Sequence, residues 1–347
     1  MALIDAFSGN AFRMSSLAEA INVVPNTYGR VRELGLFRAK SLPTTTFYIE
    51  FKNGVLNLLN TSPRGGNNPT LARTPKRNIR DYRVFHIEHD DFIYADDIQN
   101  VRAYGSEFQL QALQELVTES LATLAGKFDI TEEWHLVNAI QGLLVDADGT
   151  TLFNAFTDFG VSQTSIDFTF ATGTPTNDVG QKLVQVVRHI EDNLQGETMT
   201  GVHALVGSTW FDRFIAHPSV TQAYQFYAST QEPLRQDVRR RFVHKGVTIE
   251  EYRGRATFLN PNDTVTTRAF ISDTEARFFP VGTQQAFLNY YGPADFVADA
   301  NKPGQRLAIK MLPDPSGKDK FIGMHAQMNP FALCTRPATL VRGFSSN

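Results

Sequence analysis

Hydrophobic positions along the chain follow two spacings, one typical of helices and the other typical of strands. Apolar residues recur at helical spacing between Phe108 and Phe128, and Ser106 suits the N-cap of the helix that this stripe predicts. A second helix is predicted from Thr131 to Leu144. A third apolar stripe, from Val179 to Leu194, predicts another helix that Gly196 would end.

Short segments rich in β-branched and aromatic residues predict strands. The first runs from Thr44 to Phe51, and its predicted partner runs from Tyr82 to Ile87. Asp148-Gly149 and Lys245-Gly246 lie between apolar runs and predict hairpin turns, because glycine tolerates the positive φ that such turns need. The remaining predicted strands are 202–206, 241–243, 247–253, 269–272 and 276–279.

One more helix is predicted to begin with Ser208 as its cap. His217-Pro218 should interrupt this helix before a helical continuation from Ser219 to Ser229. Helices and strands do not alternate as a β-α-β series, and no segment of the sequence repeats. The predicted fold class is therefore α+β.

A long polar connection separates the first two predicted strands. Its middle, Ser62 to Pro69, is dense in Gly, Pro and Asn, which indicates a chain reversal. Loops of this length within a compact domain are normally functional or disordered. We therefore predict an extended two-stranded loop with a basic return limb, although a merely solvated loop remains an alternative.

Blocks of opposite charge follow each other along this part of the chain. The basic return limb is followed directly by an acidic stretch, an arrangement that suits contact between chains by charge complementarity. The predicted contact residues between subunits are Arg64, Arg73, Lys76, Arg77, Arg80, Glu88, Asp90 and Asp91.

Composition narrows the classes of function. Hydrophobic residues make up 42% of the 347 positions and charged residues 20%, which is typical of a globular chain. The formal net charge of −3 gives no global positive field for nucleic acid. A single cysteine, Cys334, excludes an internal disulfide framework. Neither a signal peptide nor a membrane-spanning stretch is predicted, so we expect the protein in the cytoplasm of the producing cell.

The sequence offers little for catalysis or metal binding. His86-Ile87-Glu88-His89-Asp90-Asp91 contains metal-ligand types, but in a strand His86, Glu88 and Asp90 face away from His89 and Asp91. The chain also lacks the spacing of a phosphate-binding loop and of a GxSxG nucleophile elbow. We predict no catalytic residue, no cofactor and no metal site, and an inert buried thiol at Cys334.

Several segments, in the same order, resemble the lambda-like major capsid proteins of tailed bacteriophages, the capsid protein E family, which has the Hong-Kong-97-type fold. The segments are Leu143 to Phe156 (LLVDADGTTLFNAF), Gly246 to Gly254 (GVTIEEYRG), Phe279 to Thr283 (FPVGT), Tyr291 to Asp295 (YGPAD) and Gly323 to Gly343 (GMHAQMNPFALCTRPATLVRG).

This resemblance implies a division of the chain and a set of partners. It implies an N-terminal arm at 1–43, an extended β-loop at 44–98, a peripheral domain with a long spine helix at 99–176, an axial domain at 177–298, and a return to the peripheral domain with the C-terminal segment at 299–347. It also implies hexamers and pentamers of an icosahedral shell, assembled in the host cytoplasm into the virion capsid. The implied partners are other copies of the chain, a separate scaffolding protein, a portal, a possible decoration protein, and packaged double-stranded DNA held by weak non-specific contact.

Two other functions stay open from the sequence alone. An encapsulin-type nanocompartment would share the fold and enclose enzymes, and neighbouring genes would distinguish it. A soluble hydrolase with dispersed residues such as His86, Glu88 and Asp90 would run as a small oligomer in size-exclusion chromatography. Some relatives crosslink subunits through Lys and Asn, but no motif pairs Lys52 or Lys76 with Asn329, so we expect no crosslink.

Overall fold

The computed structural model describes residues 29–53, 76–95, 97, 109–170, 178–222, 242–259, 264–318 and 320–346. The predicted loop reversal at 62–69, the Ser106 cap, Arg64, Arg73 and residues 223–229 lie outside this described part. Its helices are α1 (Arg30–Glu33), α2 (Gln109–Ile140), α3 (Ala155–Phe159), α4 (Val179–Asn193) and α5 (Ser208–Ala216). Its strands are β1 (Arg38–Ser41), β2 (Thr46–Asn53), β3 (Lys76–Arg83), β4 (Ile87–Tyr94), β5 (Leu143–Val145), β6 (Thr151–Asn154), β7 (Thr164–Asp167), β8 (Gly201–Val206), β9 (Phe242–His244), β10 (Val247–Glu251), β11 (Arg255–Leu259), β12 (Val265–Ala269), β13 (Ala276–Val281), β14 (Phe287–Tyr291), β15 (Ala308–Pro313), β16 (Phe321–Met328), β17 (Pro330–Cys334) and β18 (Val341–Phe344).

Helix α2 is the longest element, with 32 residues and a length of about 48 Å at 1.5 Å per residue. The prediction of two helices, with the second beginning at Thr131 and reaching Leu144, is wrong. Thr131 does not cap a new helix, because its hydroxyl donates to the Lys127 carbonyl at 2.7 Å within the continuous α2. Leu144 lies in β5 instead.

The two halves of α2 have different surroundings. Val117, Leu121 and Leu124 form a one-sided stripe, whereas almost every residue from 132 to 140 is buried. A helix that is buried on all sides loses its amphipathic period, and this change of pattern imitates a helix boundary.

A six-stranded sheet has the order β7-β18-β13-β8-β10-β9. Strand β8 at its centre pairs in parallel with β10 and antiparallel with β13. Alternate residues of β8 point to opposite faces, so that Val202 and Ala204 join the apolar cluster with the inner faces of α4 and α5, and Leu205 joins the central core. Asp178 caps α4 through a bond from the Gly180 amide, at 2.8 Å.

The central core lies around the three-stranded sheet β1-β14-β17. Phe331 of β17 meets several rings here, among them Phe47 of β2 and Tyr82 of β3, at centroid distances of 5.5 Å and 5.4 Å. A second three-stranded sheet, β15-β16-β4, packs Ile93, Met324 and neighbouring residues against the apolar stripe of α2. We call it the peripheral sheet.

Both predicted hairpin turns within the described residues are confirmed, whereas several predicted boundaries are wrong. Gly149 (φ 93°) forms the turn between β5 and β6, and Lys245-Gly246 (φ 50° and 80°) turns between β9 and β10. Gly207, not Ser208, is the N-cap of α5. The strand predicted at 269–272 ends at Ala269. The partner of β2 is Lys76–Arg83, not Tyr82–Ile87, because the chain leaves this pairing at residue 84 and begins β4 at Ile87.

Candidate assembly interface

Strands β2 and β3 form an extended hairpin and, among the described residues, pair only with each other. The two strands pair over eight residues each, from Thr46 opposite Arg83 to Asn53 opposite Lys76. Phe47 and Tyr82 are buried in the central core and anchor the root of this hairpin. The Tyr82 hydroxyl donates to Asp158 at 2.7 Å, and burial together with this carboxylate raises the pKa of Tyr82.

The basic residues of the hairpin occupy different positions. Arg80 lies at the root, where its guanidinium is 2.8 Å from an Asp158 oxygen and 4.8 Å from the Phe159 ring centroid. Arg80 therefore holds the hairpin to its own subunit. Lys76 and Arg77 lie at the far end, where their backbones pair with Asn53 and Lys52.

The acidic block lies on β4, and the strand divides it between two faces as the alternation predicted. Asp91 and His89 face α2, where Ser120 donates to Asp91 at 2.8 Å and Lys127 lies 2.8 Å from His89 Nε2. Residues 88 and 90 belong to the opposite, outer face of the peripheral sheet. Strand β4 pairs with β16, so the basic and acidic blocks that are adjacent in sequence belong to separate sheets.

Two histidines accompany the acidic residues of the outer face. His325 bonds to Asp90, and its other ring nitrogen lies 2.6 Å from Gln327 Nε2. His86 Nε2 lies 3.2 Å from Glu88 Oε2. Among the described residues, no group of three or more His, Cys, Asp or Glu is placed to hold a metal ion. The face is a hydrogen-bonded network whose carboxylates stay largely exposed.

An aromatic patch, which the sequence reading missed, completes the outer face. Phe92, Tyr94 and Leu312 are 44%, 52% and 42% exposed, and Phe321 lies between the two rings with centroids 5.4 Å and 5.8 Å away. Phe92 and Tyr94 continue the alternation of Glu88 and Asp90, and that pattern was the available signal. Exposed apolar patches on a subunit mark contact surfaces.

The junction between the peripheral sheet and the central sheet is a single buried residue, Asn329. Its amide donates to the Pro293 carbonyl at 2.5 Å, and its Oδ1 lies 2.7 Å from His86 Nδ1. The side chain of Asn329 is thus engaged within the subunit.

Cys334 is also buried, and burial raises the pKa of this thiol to about 12. The prediction of a buried thiol at Cys334 is confirmed.

No helix in the described ranges has the length and apolarity needed to cross a membrane.

Three features define the class of protein to which this fold belongs, the Hong-Kong-97-type capsid subunit. They are the long helix packed on the peripheral sheet, the extended hairpin, and the six-stranded sheet covered by helices. Solved structures share this fold. The chain matches the putative capsid protein of a prophage from E. coli CFT073 with a TM-score of 0.56 and 11% identity, over 96% of this chain and 99% of that one. It matches the mature capsid subunit of bacteriophage PhiM1 with a TM-score of 0.52 and 13% identity, over 90% and 85%.

The chain belongs to the phage major capsid protein E family, whose model matches residues 13–345. The major capsid protein of Pseudomonas phage KPP10 is 27% identical over 96% of this chain and 97% of its own. The major capsid protein of Salmonella phage Felix O1 is 26% identical over 95% of each chain. The protein is accordingly a structural, non-enzymatic component of the virion that forms the icosahedral shell of a tailed phage. The resemblance to the capsid protein E family is thus confirmed. Membership of this family favours the phage shell over the nanocompartment and the hydrolase.

Proposed function

We propose that copies of this protein form the hexamers and pentamers of a shell that encloses double-stranded DNA. The observation that carries this proposal is the family match over residues 13–345. The net charge of −3 supports weak, non-specific contact with the packaged DNA, because tight binding needs a positive surface.

The proposed division of the chain keeps the boundaries expected from the resemblance: an arm at 1–43, an extended loop at 44–98, a peripheral domain at 99–176, an axial domain at 177–298 and a return segment at 299–347. Helix α2 lies within the third range, and β8, β9, β10 and β13 lie within the fourth. Strand pairing crosses the boundaries, since β4 from the extended loop pairs with β16 from the return segment.

We infer that the hairpin of one copy docks on the outer face of a neighbour's peripheral sheet. The stretch from Lys52 to Arg83 carries seven Lys and Arg residues and one acidic residue, Asp81. The outer face offers the exposed carboxylates of Glu88 and Asp90. Opposite charges steer association, and the aromatic patch beside them supplies apolar area. Arg64, Arg73, Lys76 and Arg77 are the proposed contacts on the hairpin, and Arg80 supports its root.

A separate scaffolding protein, a portal and a decoration protein are proposed as further partners on the strength of the family resemblance.

The test of this proposal removes the loop tip, Ser62 to Pro69. We expect the deletion to leave the subunit folded, because the tip is too polar and Gly-rich to belong to a core, and to stop shell formation. Circular dichroism reports folding, and electron microscopy of the purified protein reports shells. The matched control replaces the same residues with a Gly-Ser linker of equal length. Normal shells from both variants would show that the tip makes no contact needed for assembly.

A further inference from the structure

Helix α1 is a single turn that carries two arginines. Gly29 is its N-cap, and Val31 is fully buried. Residues two apart on a helix point about 200° away from each other at 3.6 residues per turn. Arg30 and Arg32 therefore reach to opposite sides of the buried valine, and each meets a different part of the fold.

On one side, Arg32 binds helix α2. Its guanidinium donates to Asp129 at 3.1 Å and also to Glu132, which is almost fully buried. Arg306 donates to the same Glu132 at 2.7 Å and ion-pairs with Asp129. Two carboxylates and two guanidinium groups balance each other here. Loss of Arg32 would leave two carboxylates to share one cation, which is costly away from water.

On the other side, Arg30 binds the six-stranded sheet. Its guanidinium contacts both oxygens of Glu250 on β10, at 2.6 Å and 3.0 Å. Glu250 is buried and has His203 of β8 on its other side, at 3.3 Å. A bidentate arginine–carboxylate pair is directional, so it fixes the orientation of α1 as well as its distance from the strand.

A third contact lies between these two. The Val31 amide donates to Glu133 Oε1 at 2.8 Å, and the hydroxyl of Tyr252, the residue after β10, donates to the same oxygen at 3.1 Å. Glu133 Oε2 is buried and has no partner in the described part of the chain. One carboxyl group of α2 thus receives one bond from α1 and one from the segment that follows β10.

We propose that α1 is a strut that locks helix α2 and strand β10 into one rigid unit. Arg32 and Arg30 are the two ends of the strut, and Val31 is its fixed centre. This goes beyond assembly into a shell, because it concerns the stiffness of the single subunit before any neighbour binds.

Hydrogen exchange followed by mass spectrometry on the unassembled protein tests the strut. In Arg32→Ala we expect exchange to quicken by about tenfold or more, not only in residues 29–36 and 129–137 but also in β10, which Arg32 does not touch. In Arg30→Ala we expect the same increase in residues 129–137, which Arg30 does not touch. Arg38→Ala, which removes an exposed arginine from β1, is the matched control and should change neither segment.

The decisive readout is the change in hydrogen exchange in the segment that the substituted arginine does not contact. If each variant loosens only the partner that its own arginine contacts, α1 holds the two sides independently and the strut is refuted. Arg30→Ala keeps the test usable if Arg32→Ala does not fold, because Arg30 is the more exposed of the two. Shell formation is not part of the readout, so failure here leaves the capsid assignment untouched.

Discussion

His135 is a buried histidine near the C-terminal end of α2. Its Nδ1 has no hydrogen-bond partner among the described residues, and burial lowers its pKa from 6.5 to about 4. The folded state therefore prefers the neutral ring. In the unfolded chain the ring takes up a proton near pH 6.5, so the unfolded state binds more protons between these two values. The resulting stabilisation is complete above pH 6.5 and is lost as the pH falls towards 4.

We expect this residue to give the unassembled protein a free energy of unfolding that falls by up to about 3 kcal/mol between pH 7 and pH 4. His135→Leu should remove that part of the pH dependence, because leucine fills the site without a titratable ring. Urea denaturation at pH 7 and pH 4.5 measures the difference. Val297→Ala, at an exposed side chain that does not titrate, is the control and should keep the parent's change in the free energy of unfolding between the two pH values. The prediction would be contradicted if the free energy of unfolding fell by the same amount between the two pH values in the parent and in His135→Leu.

Glu133, two positions earlier, acts in the opposite direction. Burial raises the pKa of this carboxyl group, so its contribution to stability is present at low pH and is lost as the pH rises through the folded-state value. From sequence alone, Glu133 and His135 look like solvent-exposed polar positions of a helix. The Glu133 side chain contacts α1 and the segment after β10, which are about a hundred or more positions away in sequence. Local pattern could not reveal these contacts.

Two glycines in different elements allow the effect of backbone conformation on stability to be measured separately from the effect of side-chain crowding. A Cβ on Gly126 of α2 or on Gly246 of the β9–β10 turn would meet no atom within 4 Å. Gly126 is helical, whereas Gly246 has a φ of 80°. We expect Gly126→Ala to stabilise the subunit by roughly 0.5–1 kcal/mol and Gly246→Ala to destabilise it by roughly 1–2 kcal/mol. Chemical unfolding of the unassembled protein gives both values, and changes of the same sign would contradict the assignment of the two conformations.

Element type was easier to predict than element ends. The apolar stripe of α4 and the Lys245-Gly246 turn are local signals, and both are confirmed. The segment from Tyr82 to Ile87 reads as one strand because it contains no glycine or proline. In the structure this segment contains the end of β3 and the start of β4. Strand β3 pairs with β2, which is nearby in sequence, whereas β4 pairs with β16, which lies far along the chain. Pairing at that distance leaves no trace in a short window.

At the scale of the whole molecule, Arg77 and Arg80 of β3 should respond differently to charge reversal. Arg77→Glu should weaken shell assembly more at low salt than at high salt, because charge attraction between subunits is screened over about 8 Å at physiological ionic strength. Arg80→Glu should instead destabilise the subunit, since Arg80 binds Asp158 at the hairpin root. Light scattering across a salt series measures assembly, and urea denaturation measures stability. Arg188→Glu, on an exposed position of α4, is the control.

If Arg77→Glu lowers assembly equally at every salt concentration, packing and not charge holds the hairpin on the neighbouring subunit.

The sequence indicated the charged hairpin because its basic residues are close together along the chain. It could not indicate the outer face as a surface. That face is built from β4, β15 and β16, and its aromatic patch exists only after these strands have paired.

The pairing of β4 with β16 also sets a time. His325 and Asp90, which meet across these strands, are 235 positions apart. At a synthesis rate of roughly 5–20 residues per second, the ribosome needs on the order of ten to fifty seconds to deliver β16 after β4. During that interval β4 has no partner strand, and the outer face does not exist. A nascent chain is therefore unable to present this face to its neighbours on the same messenger RNA. Only a chain whose synthesis has passed β16 offers it, so the topology delays association until that strand has left the ribosome.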